Sequence, residues 1–317
     1  MGNDFQTQYL PQRPRKMFSQ FRWSAQMVTR QVLPRDTLVR KMPRLEEEVE
    51  RYGLAEHIAE IDDQGLCIIP FSKLRVGDDF VSRARVALLA VAERRTGAAF
   101  DLDKGRTGKL DDKSERIGQV MLTHLLHEGP FFEEVYVNPI RKTMMRHLLG
   151  DIHRMSTCNG WVKFKTPDAY ESQFTTAMHV DTTAPTPWPL DTPHVSNMNW
   201  ILTDYTKANG AFAYVPESHK RGTLPPTPEA MERAVPVEAP AGSLYFFHGA
   251  TWHGAFRKQT EGLRLSIHGL CCQPHYIPQQ DFRGRIAPEV FARSRDPDYL
   301  RMLTRDDDPW LKPASAL

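Results

Sequence analysis

The sequence has few cysteines, and their spacing suits no common cysteine site. The four, Cys67, Cys158, Cys271 and Cys272, form no C-x-x-C pair, which argues against a zinc or thioredoxin-like motif, and four thiols in 317 residues do not make a disulfide scaffold. No run of 18 apolar residues exists and the mean hydropathy is −0.49, so no segment reads as a membrane span. The first 23 residues are polar and basic without an apolar stretch, so no secretory signal is predicted. Gly2 lacks the downstream Ser or Thr of a myristoylation signal, and Ala314-Ser315-Ala316-Leu317 is no peroxisomal address. A large excess of either charge is also missing: 41 Lys and Arg face 39 Asp and Glu, a formal +2. That balance speaks against nucleic-acid binding as the main activity. These absences predict a soluble, cytoplasmic protein that works on something other than a membrane or a nucleic acid.

The composition is that of a globular chain, 40% apolar and 25% charged. Its charge is unevenly placed. Residues 1–44 hold nine Lys and Arg against two Asp, a net +7, and the remainder nets −5. This predicts a basic N-terminal arm or lid over 1–44 and a single domain over 45–317. Within that domain, helical support is expected over 45–150, a strand-rich core over about 151–276 and a C-terminal extension over 277–317.

Periodicity separates the two halves. Apolar residues at helical spacing predict helices over 45–61, 78–95 and 114–127, and Asn138-Pro139 caps one closing at Gly150. Residues 65–70 read as a short strand and 101–112 as a loop. Beyond 150, short β-branched and aromatic runs alternate with turns: 161–165, 175–180, 195–202, 211–215, 243–247 and 263–271. Many short strands predict a sandwich, jelly roll or barrel, mainly β with flanking helices.

His179-Val180-Asp181 is the first triplet that carries chemistry. On a strand, residues i and i+2 share a face, so an imidazole and a carboxylate converge on one ion. Downstream, an apolar run over 242–247 leads to Trp252-His253-Gly254, and Arg264 follows eleven residues after His253. If the polar stretch 258–262 joins an antiparallel pair, Arg264 lies opposite about Phe256, roughly three residues or ~10 Å along the strand from His253. Two His and one carboxylate leave coordination positions open, which favours Fe(II) over four-coordinate structural zinc. The always-charged guanidinium of Arg264 suits a carboxylate. A five-carbon diacid that chelates the metal at one end would meet Arg264 at the other. Trp161, Phe164, Trp188, Tyr245, Phe247 and Trp252 are candidates to line an apolar pocket, with core packing as the alternative for each. The Pro-rich stretch 182–193 is a candidate lid. His219 and His248 read as structural.

The spaced His179-x-Asp181, Trp252-His253-Gly254 and Arg264, together with Asn209-Gly210-Ala211-Phe212-Ala213-Tyr214-Val215-Pro216-Glu217-Ser218-His219-Lys220, resemble the phytanoyl-CoA dioxygenase family over roughly residues 65–276. The resemblance implies a double-stranded β-helix (jelly-roll, cupin-like) core with flanking helices. It implies an enzyme using non-haem Fe(II), 2-oxoglutarate and O2, with release of succinate and CO2. Carried over, His179, Asp181 and His253 become iron ligands and Arg264 the clamp for the distal 2-oxoglutarate carboxylate. Trp200 resembles a pocket-lining tryptophan, and Ser266, two after Arg264, adds a hydroxyl to the clamp. Three positions depart from the pattern: Ala255 stands for a serine, Phe212 for a threonine and Glu217 for the glycine of a P-G-S-H corner. These departures bear on an acyl-CoA substrate and leave the metal ligands intact. The expected reaction is oxidation, by preference hydroxylation, of a small, largely apolar molecule. A 2-oxoglutarate-independent jelly-roll isomerase and a non-catalytic metal-binding protein are the alternatives.

Overall fold

Residues 43–182, 193–222, 224, 228–282, 288–294 and 296–303 are described by the computed structural model, and every structural statement concerns them. Residues 1–42 of the basic arm expected over 1–44, and 183–192 of the candidate lid expected over 182–193, with Trp188, lie outside these residues. The residues of Pro43–Leu317 form one unit.

The amino-terminal support differs from its sequence reading where glycines intervene. The expected helix over 45–61 is two helices, α1 (Pro43–Tyr52) and α2 (Ala55–Gln64). Gly53 adopts φ +62° between them, a left-handed conformation cheap only for glycine, and turns the chain so that Leu54 is fully buried. After β1 (Leu66–Ile69), helix α3 (Phe80–Thr96) buries Phe80, Ala84, Leu88 and Val91 on one stripe. The expected loop over 101–112 contains a hairpin, β2 (Ala99–Asp101) with β3 (Gly105–Thr107). Its turn is closed by Asp101 Oδ1, which accepts from the amides of Asp103 and Lys104.

The helix expected over 114–127 is mostly not there. It shrinks to α4 (Asp112–Ile117), and β4 (Gln119–Leu122) follows at once. A short apolar run fits either period, and here the neighbouring β5 (Arg154–Lys163) decides by pairing Gln119 with Lys163 and Met121 with Trp161. Helix α5 (Phe131–Val137) leads into α6 (Pro139–Leu149), where the Asn138 side chain accepts from the amides of Ile140 and Arg141 as its sequence predicts.

The remaining strands are β6 (Phe174–His179), β7 (Val195–Ile201), β8 (Phe212–Tyr214), β9 (Val235–Pro236), β10 (Leu244–His248), β11 (His253–Phe256) and β12 (Arg264–Cys272). They build two antiparallel sheets. The larger runs β1-β10-β7-β12-β5-β4 and the smaller β6-β11-β8-β9. One face of the larger sheet packs on the helices, where Phe80, Leu88, Tyr136 and Met144 meet Cys158, Met198, Trp200 and Ile267. Each such wholly buried side chain contributes on the order of 2 kcal/mol. The opposite, inner face is polar for a buried surface. Row by row across β5, β12 and β7 it presents Asn159, His268 and Asn199, then Thr157, Leu270 and Asn197. That polarity explains why the sequence reading began β5 at 161, seven residues late.

The stretch 258–262 does not close a hairpin. Phe256 pairs with Phe174 in the small sheet and Arg264 with Lys163 in the large one. Residues 257–263 therefore carry the chain from one sheet to the other. Lys258 Nζ braces the crossing by donating to Asn209 Oδ1 (2.6 Å), Thr260 Oγ1 (2.6 Å) and the Glu261 carbonyl (2.9 Å). The corrected topology still delivers Arg264 to the cavity between the sheets. Among the described residues no helix is long and apolar enough to cross a membrane.

Candidate active site

His179 ends β6, His253 begins β11, and the two are directly paired across the ladder with ring centroids 4.1 Å apart. The strand stops at His179, so Asp181 owes its place to another contact. Its amide and that of Thr182 both donate to the Gly249 carbonyl, at 2.9 and 3.1 Å. The result brings His179 Nε2 to 3.6 Å from Asp181 Oδ1 and His253 Nε2 to 3.5 Å from Asp181 Oδ2. One donor atom from each of the three residues lies within 4.8 Å of the others.

The outer contacts fix which atoms point inward. Nδ1 of His179 lies 2.8 Å from the Ala177 carbonyl, and Nδ1 of His253 lies 2.8 Å from the Thr251 carbonyl. A carbonyl only accepts, so each Nδ1 carries a proton and each ring turns its Nε2, the nitrogen that would face a metal, toward Asp181. Metal-bound histidines are held in this way by their second nitrogen. Asn197 Nδ2 donates to Asp181 Oδ2 and orients the carboxylate. Burial alone raises the Asp181 carboxyl, but His253 and His179 prevail and hold it below its ordinary range. Burial pushes His253 down to about 4, so this ring is neutral near pH 7. Two imidazole nitrogens and one carboxylate oxygen with converging lone pairs fit Fe(II).

The cavity that these residues line has a volume of about 230 Å³. Trp161, Tyr245 and Phe247 line it as the sequence suggested, whereas Phe164 and Trp252 are buried outside it. Phe212, the departure from the family's threonine, stacks on His253 with centroids 5.2 Å apart and rings 18° from parallel. Glu217 sits at φ +60°, a conformation that suits the glycine it replaces. His219 Nε2 contacts the Asp62 carbonyl at 3.1 Å, a structural role.

Arg264 is 5% exposed and lines the same cavity. Its Nη1 donates to the Tyr205 hydroxyl at 2.8 Å, and its guanidinium carbon lies 4.7 Å from the Tyr205 ring centroid. Its Nε is buried without a hydrogen-bond partner. An orphaned guanidinium N–H beside a cavity fits a carboxylate. Tyr205, which positions the guanidinium, carried no signal in the sequence because it lies outside any strand. Ser266 shares the face of Arg264, and its hydroxyl is 3.1 Å from His268 Nε2. Trp200 corrects the expectation made for it. It alternates with Asn197 and Asn199 and so faces the helices, where it is fully buried, packs on Phe80 and donates Nε1–H to the Val135 carbonyl at 3.3 Å. It does not line the cavity.

The two-sheet core thus carries a His-Asp-His cluster beside one cavity. The family model described as phytanoyl-CoA dioxygenase matches residues 61–266, and the chain belongs to that family. It is 32% identical over 175 residues to dioxygenase af480 of Aspergillus fumigatus, a match covering 54% of each chain, so it spans about half the length of that relative. Solved structures share the fold at low identity. HygX of Streptomyces hygroscopicus, solved with nickel and 2-oxoglutarate bound, superposes with a TM-score of 0.54 at 18% identity, over 71% of this chain and 88% of that one. The non-haem α-ketoglutarate-dependent epimerase SnoN from nogalamycin biosynthesis superposes with a TM-score of 0.53 at 18% identity, over 72% and 87%.

Proposed function

We propose that this chain hydroxylates a small, largely apolar molecule, with His179, Asp181 and His253 holding iron and Arg264 holding the distal carboxylate of 2-oxoglutarate. The observation that carries the reading is the convergence of the three donor atoms and of Arg264, whose Nε has no hydrogen-bond partner, on one cavity. When bound, the iron with 2-oxoglutarate and O2 supplies the oxidising chemistry and releases succinate and CO2. The protein's part is placement. The two carbonyl-locked imidazoles and the Asn197-held carboxylate present one preset ligand face. Tyr205 fixes the guanidinium, and Phe212 and Phe247 exclude water around His253. Trp161 and Met121 offer an apolar wall for substrate, with Asn159 and Gln119 as neutral hydrogen-bonding groups.

Anaerobic addition of Fe(II) and 2-oxoglutarate is expected to give a visible charge-transfer band that is lost in His179→Ala. A well-folded wild-type protein without the band would refute the iron reading. Arg264→Ala should weaken 2-oxoglutarate binding and leave iron binding largely intact, and unchanged cosubstrate affinity would refute the clamp. Product mass then separates outcomes: hydroxylation adds one oxygen atom, whereas epimerisation and ring closure add none.

A further inference from the structure

Three cations are buried around the start of β12: Arg264, Lys163 and Lys258. Lys163 lies directly opposite Arg264 on β5, with Gln119 of β4 on its other side. It is fully buried, and its Nζ donates to the carbonyls of Phe256 and, at 3.4 Å, Gly210. The groups set against it are Arg264 of β12, Lys258 from residues 257–263 and the neutral Gln119 of β4, with the Tyr205 hydroxyl beyond Arg264. Glu261 is exposed and paired with Lys165 at 2.8 Å. Among the described residues no carboxylate forms an ion pair with Lys163, Lys258 or Arg264.

A buried ammonium with only carbonyl acceptors and cationic neighbours is costly, and losing the proton is the cheaper state. Fully buried lysines titrate as low as about 5–6. Burial first, then Arg264 and Lys258, pushes Lys163 well below the ordinary lysine range. Lys258, whose Nζ has three acceptors, is pushed down to about 8 by burial and then by Arg264, and keeps most of its proton near pH 7. His268 is also held neutral, by burial and then by Arg264.

We propose that Lys163 is a proton-linked positioning residue for the anion site: capture of a carboxylate at Arg264 is accompanied by uptake of one proton on Lys163 Nζ. The inference rests on the reading that the distal carboxylate of 2-oxoglutarate meets Arg264. The incoming negative charge offsets the guanidinium and removes the Arg264 share of the penalty that, after burial, disfavours an ammonium at Lys163. A solvent proton adds to the amine lone pair to give an ammonium, and no other bond changes. The anion site thereby gains a further positive charge only when its ligand is present. Because binding takes up a proton, 2-oxoglutarate affinity weakens as pH rises.

The test is calorimetric titration of 2-oxoglutarate into Mn(II)-loaded protein near pH 7, in phosphate and in Tris, whose ionisation enthalpies differ. The slope of observed heat against ionisation enthalpy counts protons. The expected result is uptake approaching one proton per 2-oxoglutarate in wild type and in His268→Asn, and none in Lys163→Met or in the permanently charged Lys163→Arg. Binding without uptake in wild type, or uptake that persists in either Lys163 variant, overturns the inference and leaves the clamp reading standing. Failure of 2-oxoglutarate to bind at all overturns the clamp reading as well. The wild-type slope decides even if a Lys163 variant does not fold.

Discussion

Asn197 shows how much of the metal site rests on a residue that is not a ligand. It lies on β7 in the large sheet, yet its amide reaches Asp181 beyond the end of β6 in the small one. Partners of this kind orient a carboxylate, and their loss typically costs about 10–100-fold in metal affinity. Asn197→Ala should therefore weaken Fe(II) binding by about that factor, measured by competition with a chromophoric chelator. Wild-type affinity in a folded variant would show that Gly249 alone suffices to place Asp181. No motif marks Asn197. What the sequence did offer was a pair of asparagines, Asn197 and Asn199, at strand spacing, a sign that the facing space is not apolar core.

Strand β11 is short, and one glycine holds it close to its partner. A Cβ on Gly254 would come within 2.5 Å of the Thr176 carbonyl and 3.1 Å of Met178 Sδ. The carbonyl belongs to backbone and cannot rotate away, so β6 and β11 would have to separate. His179 and His253 sit on those strands. Gly254→Ala is expected to lower metal affinity at least tenfold while the melting temperature falls by only a few degrees, since packing between the large sheet and the helices is untouched. A loss of stability without loss of metal affinity would contradict this division. Sequence reading was least accurate for elements that depend on a distant partner. Residues 119–122 became a strand because β5 lies alongside, and 257–263 became a crossing because two sheets stack. The caps were legible because they are local: Asn138 satisfies helix amides two and three residues away whatever the rest of the chain does.

The whole molecule carries buried bases that make it sensitive to acid. His153 is pushed down to about 3 by burial and then by Arg141, and His253 to about 4 by burial. The unfolded chain binds these protons near about 6.5. Between about pH 6.5 and 3 it therefore holds more protons than the folded protein, so stability falls as pH falls across that window. His179 opposes this: Asp181 outweighs burial and raises it, a contribution present at low pH and lost as pH rises. His194, His219 and His268 are depressed as well, so five lowered histidines against one raised predict a net loss. The denaturant midpoint of metal-free protein should drop from pH 6.5 toward 4, and His153→Gln should flatten the slope. A midpoint that rises on acidification would contradict the assignment.

The sequence by itself determined the chemistry. The residue types at 179, 181, 253 and 264 and their order along the chain are covalent facts, and a preference for strands around them follows from local patterning. Only the tertiary structure decided which of the other candidates share the site. Trp200 was turned to the helices by strand parity, Tyr205 and Asn197 were brought in from separate segments, and Lys163 was set against Arg264 by a register between strands a hundred residues apart. The reason is that ligand identity resides in single residues, whereas burial, register and local electrostatics arise from pairings that no window of sequence contains.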